Sequence, residues 1–323
     1  MLANSPEKYT IENREVTILL SDLRGFTSMS ETIPASDVMY MLNRYFSKMT
    51  EIIVNDFGGT IDKFMGDSIM VLFGTPHEQP DDVQKALCCA IAMQISMDEI
   101  NIENEQLGLP KLYMGIGINT GKVVAGQVGS EIYSQYTVIG DEVNLAYRIE
   151  AFTLRGQILI SENTLKNAKV FVETGTENEV YVKGKRDPIV LYELLSVTLD
   201  NNEKLAAPRR EMRKSHRVEV NLPFVYQHVF DKKIGTKKHP GRIIDISYDG
   251  MFVALDEYLT VYSEIKLTIS LSLLGQDHDD IYAKVLRIYR FKENYLVNFE
   301  FTALTSQARR AIKSYVDDRI QSF

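Results

Sequence analysis

Two aspartates close apolar strand patterns, and together they restrict the folds open to this 323-residue chain. The run Val16-Thr-Ile-Leu-Leu-Ser21 is uncharged and rich in β-formers, and it leads into Asp22-Leu-Arg-Gly-Phe-Thr27. A strand therefore delivers Asp22 to its own tip, where the backbone N–H groups of a glycine and a helix start are free to meet phosphate oxygens. Further on, two apolar strands are separated by Met65-Gly66-Asp67-Ser68, a hairpin with glycine at a position that tolerates φ > 0. Carboxylates on neighbouring strand ends can hold a pair of Mg2+ or Mn2+ ions, hard cations that prefer oxygen ligands and sit about 3.5–4 Å apart in two-metal sites. Taken singly, each aspartate is equally well a solvated turn residue, because Gly-Asp turns are ordinary punctuation.

A third segment, Tyr136-Thr-Val-Ile-Gly-Asp-Glu-Val-Asn144-Leu-Ala-Tyr-Arg148-Ile-Glu150, changes the weighting. Asn144 and Arg148 are four apart in a helix expected over 142–153, so they share a face. In isolation that pair reads as a solvent-exposed polar stripe. In order, spacing and identity the three segments resemble the class III nucleotidyl cyclases, from about Glu15 to Leu195. The resemblance implies a ferredoxin-like α+β domain that closes the ribose 3′ oxygen onto the α-phosphorus of a nucleoside triphosphate, with pyrophosphate leaving. It gives Asp22 and Asp67, with the Leu23 carbonyl, two Mg2+ or Mn2+ ions per site. Asn144 would hold the ribose, Arg148 would meet charge on the α-phosphate, and the Gly25, Phe26 and Thr27 amides would cradle the phosphates.

The same resemblance assigns base choice to Lys63 and Thr137, the pair of an adenine reader; the Glu and Cys-like residues of guanine-selective members are missing. ATP is therefore the expected substrate. By itself Lys63 is a solvated strand lysine. Lys183, and next to it Lys185, match a triphosphate-binding loop, although Lys-Gly-Lys is also a common exposed turn and Arg186 stands where the family often has glycine. Tyr147 replaces a usually small residue, one position off the Asn144/Arg148 face. In the family the metal residues and the Asn/Arg pair of one site come from opposite subunits; this chain carries both, which implies a homodimer with two complete sites.

The remaining pattern predicts a helix from Pro34 to the Gly58-Gly59 stop, another over 82–104, and a strand pair, 112–119 and 123–128, joined at Gly121. Residues 1–196 are expected to form the cyclase domain, 197–212 a linker with Pro208, and 213–323 a second domain. There, short alternating runs (218–229, 241–245, 251–255, 264–274, 281–291, 295–301) predict a small β-barrel closed by a helix over 306–320. A basic stretch from about Arg209, with Arg213 and Arg217, precedes Asp245-Ile-Ser247-Tyr-Asp-Gly250. The stretch could be a solvated linker and the second motif a capped turn, but in this order on a barrel they resemble the PilZ domain, a receptor for cyclic di-GMP. Arg213 and Arg217 would then bind phosphates and stack on guanine, Asp245 and Ser247 would read guanine edges or ribose, and Gly250 would permit close approach.

A net charge of −8 implies no general attraction to nucleic acid or anionic membrane. The two cysteines, Cys88 and Cys89, adjoin on a helical pattern and read as reduced core residues of a cytoplasmic chain. No apolar stretch is long enough to span a membrane, no metal-type cysteine or histidine cluster is visible, and a sensor or membrane module could precede Met1. The expected protein is a homodimeric adenylate cyclase regulated by cyclic di-GMP. The competing readings are a catalytically silent, cyclase-like adaptor that carries the cyclic di-GMP receptor, and a guanylate cyclase. A diguanylate cyclase would want a Gly-Gly-Asp/Glu-Glu-Phe hairpin, which Gly66-Asp67-Ser68 does not supply.

Overall fold

A computed structural model describes residues 11–130, 132–175, 177–181, 188–208, 216–230, 233–270, 277–291 and 294–321. The chain divides into two compact units: Met1–Glu179 with Ile189–Glu211, and Val180–Pro188 with Met212–Phe323. No helix among the described residues is long and apolar enough to cross a membrane.

The first unit opens with β1 (Glu12–Leu23), α1 (Phe26–Ser30) and α2 (Ala35–Thr50), followed by a π-helical turn, Glu51–Asp56. Next come β2 (Thr60–Met65), β3 (Ser68–Phe73), α3 (Asp82–Gln106) and β4 (Met114–Gly129). Their strand order, β4-β1-β3-β2, is antiparallel throughout, as expected for a ferredoxin-like core. Both faces of β1 are covered, which is why it reads as a continuous apolar run rather than an alternation. Leu19 points to the α2/α3 side with Tyr45, Met49, Leu87 and Ile91, while Ile18 and Leu20 join Leu72, Val143 and Ala146 on the other. Cys88 and Cys89 are buried free thiols of α3.

The unit continues through β5 (Ser134–Ile139), α4 (Asp141–Ala151), β6 (Ile158–Ser161), α5 (Glu162–Asn167), β7 (Phe171–Thr174), β8 (Asn178–Val180), β9 (Ile189–Thr198) and β10 (Lys204–Ala206). Two expectations are corrected. The strand pair joined at Gly121 is one strand, β4, which runs unbroken against β1 from Met114 to Ala125. Gly121 makes room rather than a turn, since a Cβ there would stand 2.6 Å from Glu142 Cγ. Part of the expected linker is also ordered, because Lys204–Ala206 pairs with the end of β9.

The second unit contains β11 (Val218–Phe230), β12 (Lys233–Ile234), β13 (His239–Ile246), β14 (Gly250–Leu255), β15 (Glu264–Ser270), β16 (Asp277–Phe291), β17 (Asn294–Leu304) and α6 (Ser306–Ile320). The order β11-β13-β14-β17-β16-β15 closes on itself through β11–β15, making a six-stranded barrel. Closure removes the exposed sheet edges that would otherwise invite pairing with another chain. Thr305 caps α6 by accepting from the Ala308 N–H at 3.1 Å. The helix then lays Ala308, Ala311, Ile312, Tyr315 and Val316 against the barrel core.

Candidate active site and ligand motif

Antiparallel register pairs Ser21 with Ile69, which brings Asp22 at the end of β1 level with Ser68 at the start of β3. Ser68 Oγ donates to Asp22 Oδ1 at 2.5 Å, and the Leu23 N–H donates to Asp67 Oδ2 at 3.2 Å. Gly66, at φ 63°, turns the hairpin that makes this possible. The two expected metal carboxylates thus meet before any ion is considered. Burial first, and then the charge of Asp22, push the Asp67 carboxyl up to about 6, against the pull of its own and the Leu23 amide.

Arg24 is the local counter-ion. Its Nη1 lies 3.5 Å from Asp22 Oδ2, while Nη2 pairs with the Glu150 carboxylate and donates at 2.5 Å to Thr153 Oγ1. Glu150 is pushed up to about 7, chiefly by burial, which outweighs Arg24; the Asp22 charge adds to the rise. Asp22 and Glu150 therefore share one guanidinium, and the expected metal donors, Asp22, Asp67 and the Leu23 carbonyl, are all oxygen. That set fits hard divalent cations of the Mg2+ or Mn2+ class. Gly25, at φ 76°, caps the short α1, with Phe26 buried and Thr27 exposed.

Helix α4 seats Val143, Ala146 and Ile149 on the sheet and leaves Asn144 exposed and Arg148 half-buried. It lies unusually close to β4, because a Cβ on Gly117 would come within 2.4 Å of the Glu150 backbone nitrogen. The Asn119 side chain donates to the Glu142 carbonyl at 2.9 Å and to its carboxylate at 2.7 Å, pinning the first turn of α4. Among the described residues, no hydrogen bond or ion pair joins Asn144 or Arg148 to Asp22 or Asp67. Lys63 and Thr137 do meet, Nζ to Oγ1 at 3.4 Å, while Asp62 pairs with the same ammonium at 3.1 Å. Tyr147 stays off this face as expected and turns its hydroxyl to Met65 Sδ at 2.9 Å. Lys183, Lys185 and Arg213 lie outside the described residues.

In the barrel, Val218 pairs with Ile246 and Glu219 with Asp245. Arg217 is thereby carried to the Asp245–Ser247 segment, and its Nη1 lies 3.6 Å from Asp245 Oδ1. Ser247 donates through N–H and Oγ to the Gly250 carbonyl at 2.8 and 3.1 Å, closing a tight turn between β13 and β14. The close approach at Gly250 comes from within the barrel, as a Cβ would stand 2.1 Å from the Phe299 carbonyl oxygen. Tyr248, inside the same turn, donates its hydroxyl to the buried Asp317 carboxylate on α6.

Sequence reasoning missed Ser68, Arg24, Glu150 and Asp317. Arg24 adjoins the assigned Leu23 and Gly25, Ser68 adjoins Asp67, and Glu150 lies two residues from Arg148, which was the available signal; Asp317 had none, since only the fold brings α6 to the Tyr248 turn.

The sequence matches the adenylate and guanylate cyclase catalytic domain over residues 9–196 and the PilZ domain over 211–318. An adenylate cyclase of Anabaena cylindrica is 40% identical over 190 residues, 56% of this chain and 37% of that protein. Adenylate cyclase 1 of Rhizobium meliloti is 31% identical over 186 residues, 57% of this chain and 28% of the relative. The chain therefore spans well under half the length of these relatives. Among solved structures, the guanylyl cyclase Cya2 superposes with a TM-score of 0.58 at 47% identity, covering 61% of this chain and 99% of that one. The adenylyl cyclase CyaB from P. aeruginosa superposes with a TM-score of 0.55 at 36% identity, covering 58% and 96%. With more than half its length matched and the paired aspartates in place, the chain belongs to the adenylate and guanylate cyclase catalytic domain family, and a PilZ domain follows.

Proposed function

We propose that the chain is an adenylate cyclase that forms 3′,5′-cyclic AMP and pyrophosphate from ATP as a homodimer, under the control of cyclic di-GMP at its PilZ domain. The observation that carries the choice of ATP is the meeting of Lys63 with Thr137. An ammonium and a hydroxyl 3.4 Å apart offer the mixed donors and acceptor that an adenine edge requires.

The reaction forms a bond from the ribose 3′ oxygen to the α-phosphorus and breaks the one from that phosphorus to the bridging oxygen of pyrophosphate. Such an in-line displacement needs positioning and charge neutralisation more than covalent help. Asp22 and Asp67, with the Leu23 carbonyl, would hold two Mg2+ or Mn2+ ions, which supply Lewis-acid polarisation of the 3′ hydroxyl and the phosphates. Ser68 and the Leu23 amide keep the two carboxylates in place. Gly25, Phe26 and Thr27 present backbone amides to phosphate oxygens. Asn144 orients the ribose, and the forked guanidinium of Arg148 meets the charge growing on the α-phosphate. Lys183 and Lys185 are assigned to the triphosphate.

Two features support the homodimer. Asn144 and Arg148 have no bond to the aspartates within the subunit, and β4, β5 and the residues between them expose Val124, Val128, Ile132, Tyr133 and Ile139. In the PilZ domain, Arg213, Arg217, Asp245 and Ser247 are the proposed cyclic di-GMP contacts, with Gly250 shaping the turn beside them. Control of turnover requires that this ligand bind two states of the enzyme unequally.

The test is cyclic nucleotide formation from ATP and from GTP, with Mg2+ or Mn2+, across a titration of cyclic di-GMP. Cyclic AMP at a rate that changes with the titrant is the expected result. Preferential cyclic GMP would replace the adenylate reading with a guanylate one, a reading favoured by the 47% identity to a guanylyl cyclase. No product from either nucleotide would favour the silent adaptor.

A further inference from the structure

Three side chains of the second unit converge on one carboxylate oxygen, well away in kind from the oxygen-only set of the cyclase. His228 Nε2 and His239 Nδ1 each lie 3.0 Å from Glu257 Oε1. Tyr226 donates its hydroxyl to the same oxygen at 2.7 Å. Barrel register builds the group. Tyr226 and His228 are two apart on β11 and share a face, Tyr226 pairs with His239 at the start of β13, and Glu257 follows the end of β14. The imidazoles meet edge to face with centroids 5.1 Å apart, and Tyr226 stacks on His239. Among the described residues this is the one group of three histidine, cysteine or acidic side chains whose ligand atoms all lie within 4.8 Å of one another.

We propose that His228, His239 and Glu257 form a binding site for a borderline transition-metal cation, Zn2+ being the expected occupant. Imidazole nitrogens favour this class over Mg2+. Zinc bonds of about 2.0–2.1 Å put tetrahedral ligand atoms about 3.3 Å apart, so the two 3.0 Å separations need to open by only a few tenths of an ångström. Tyr226 is placed as the outer hydrogen-bond donor that orients a ligating carboxylate. The side chains of His228 and Glu257 are 27% and 38% exposed, which leaves a coordination position for water and a path of entry. The bland reading is a hydrogen-bonded strut in which Glu257 simply accepts from three donors. The two differ in one respect: a strut holds protons between nitrogen and oxygen, whereas in the site a metal ion takes that place and the displaced protons pass to solvent.

The test uses the full chain, freed of metal by chelation and titrated with Co2+ while visible absorption is followed. The expected result is the d–d band of low-coordinate cobalt saturating at one equivalent per chain and displaced by Zn2+. The band should survive in Asp67→Ala, which separates this site from the cyclase carboxylates. His239→Ala and Glu257→Gln should weaken cobalt binding at least tenfold with circular dichroism unchanged. If His239→Ala does not fold, His228→Gln, at the more exposed imidazole, takes its place. No band in the parent chain, or a band that persists with unchanged affinity in the histidine and Glu257 variants, overturns the proposal.

Discussion

The carboxylate pair of the first unit and the Arg217–Asp245 pair of the second differ in how their charge is shared. Asp22 and Asp67 are held together by Ser68 and the Leu23 amide although burial and mutual repulsion push Asp67 up to about 6. Asp22 also has a guanidinium, Arg24 at 3.5 Å, but shares it with Glu150, whereas Asp245 faces the Arg217 guanidinium 3.6 Å away. On the proposed metal role, a bound cation would relieve the repulsion between the two carboxylates of the first arrangement. On the proposed cyclic di-GMP role, an incoming phosphate would compete with Asp245 for Arg217.

The largest effect that can break this contrast is at Asp67. Asp67→Ala should lower cyclisation roughly a thousandfold or more without lowering the melting temperature, since repulsion with Asp22 is relieved; near-normal turnover would remove the metal role. Arg148→Ala should cost about a hundred- to a thousandfold in kcat. Mixing inactive Asp67→Ala and Arg148→Ala chains then sharpens the picture, because heterodimers with sites shared between subunits regain one intact site. Up to about a quarter of parental activity is expected in an equal mixture, and none if each site belongs to one chain.

A third test asks whether the second unit also contains an unbalanced carboxylate outside its ligand motif. Asp317 is fully buried, and burial raises it to about 6 despite hydrogen bonds from Tyr248 and, at 2.8 Å, from the Tyr181 N–H. Because its folded value lies above the unfolded one, the unfolded chain releases this proton first as pH rises. Stability of the barrel should fall between about pH 4 and 6, by up to about 3 kcal/mol, and then level off. Asp317→Asn should remove that slope, read from hydrogen exchange of barrel amides; an unchanged slope would place its origin elsewhere. The smallest expected effect is at Arg217. Arg217→Ala should weaken cyclic di-GMP binding about tenfold by calorimetry and leave basal cyclisation alone.

Local chemistry made some of this legible in advance. Gly66-Asp67 announced a hairpin because positive φ and a polar residue have few other uses between apolar strands, and the closing helix expected after the barrel runs is α6, Ser306–Ile320. Glycine misled at Gly121, where it records the nearness of Glu142 and not a bend. A missing side chain is visible in sequence, whereas what occupies its space is not. The His228, His239 and Glu257 group was invisible for a related reason: no spacing rule joins residues that only strand register assembles. The sequence showed no metal-type histidine cluster, and the fold makes one.

The glycines of β4 carry one more consequence. At Gly117 the backbone of α4 rests against bare β4 backbone, and at Gly121 the Glu142 side chain does. The height of Asn144 and Arg148 above the sheet is therefore at its floor. A side chain at Gly117 can only lift them, by no less than a methyl group. On the proposed role, Gly117 fixes the lowest height from which Arg148 would reach a phosphate, so a finer adjustment would fall to α4 and its other contacts.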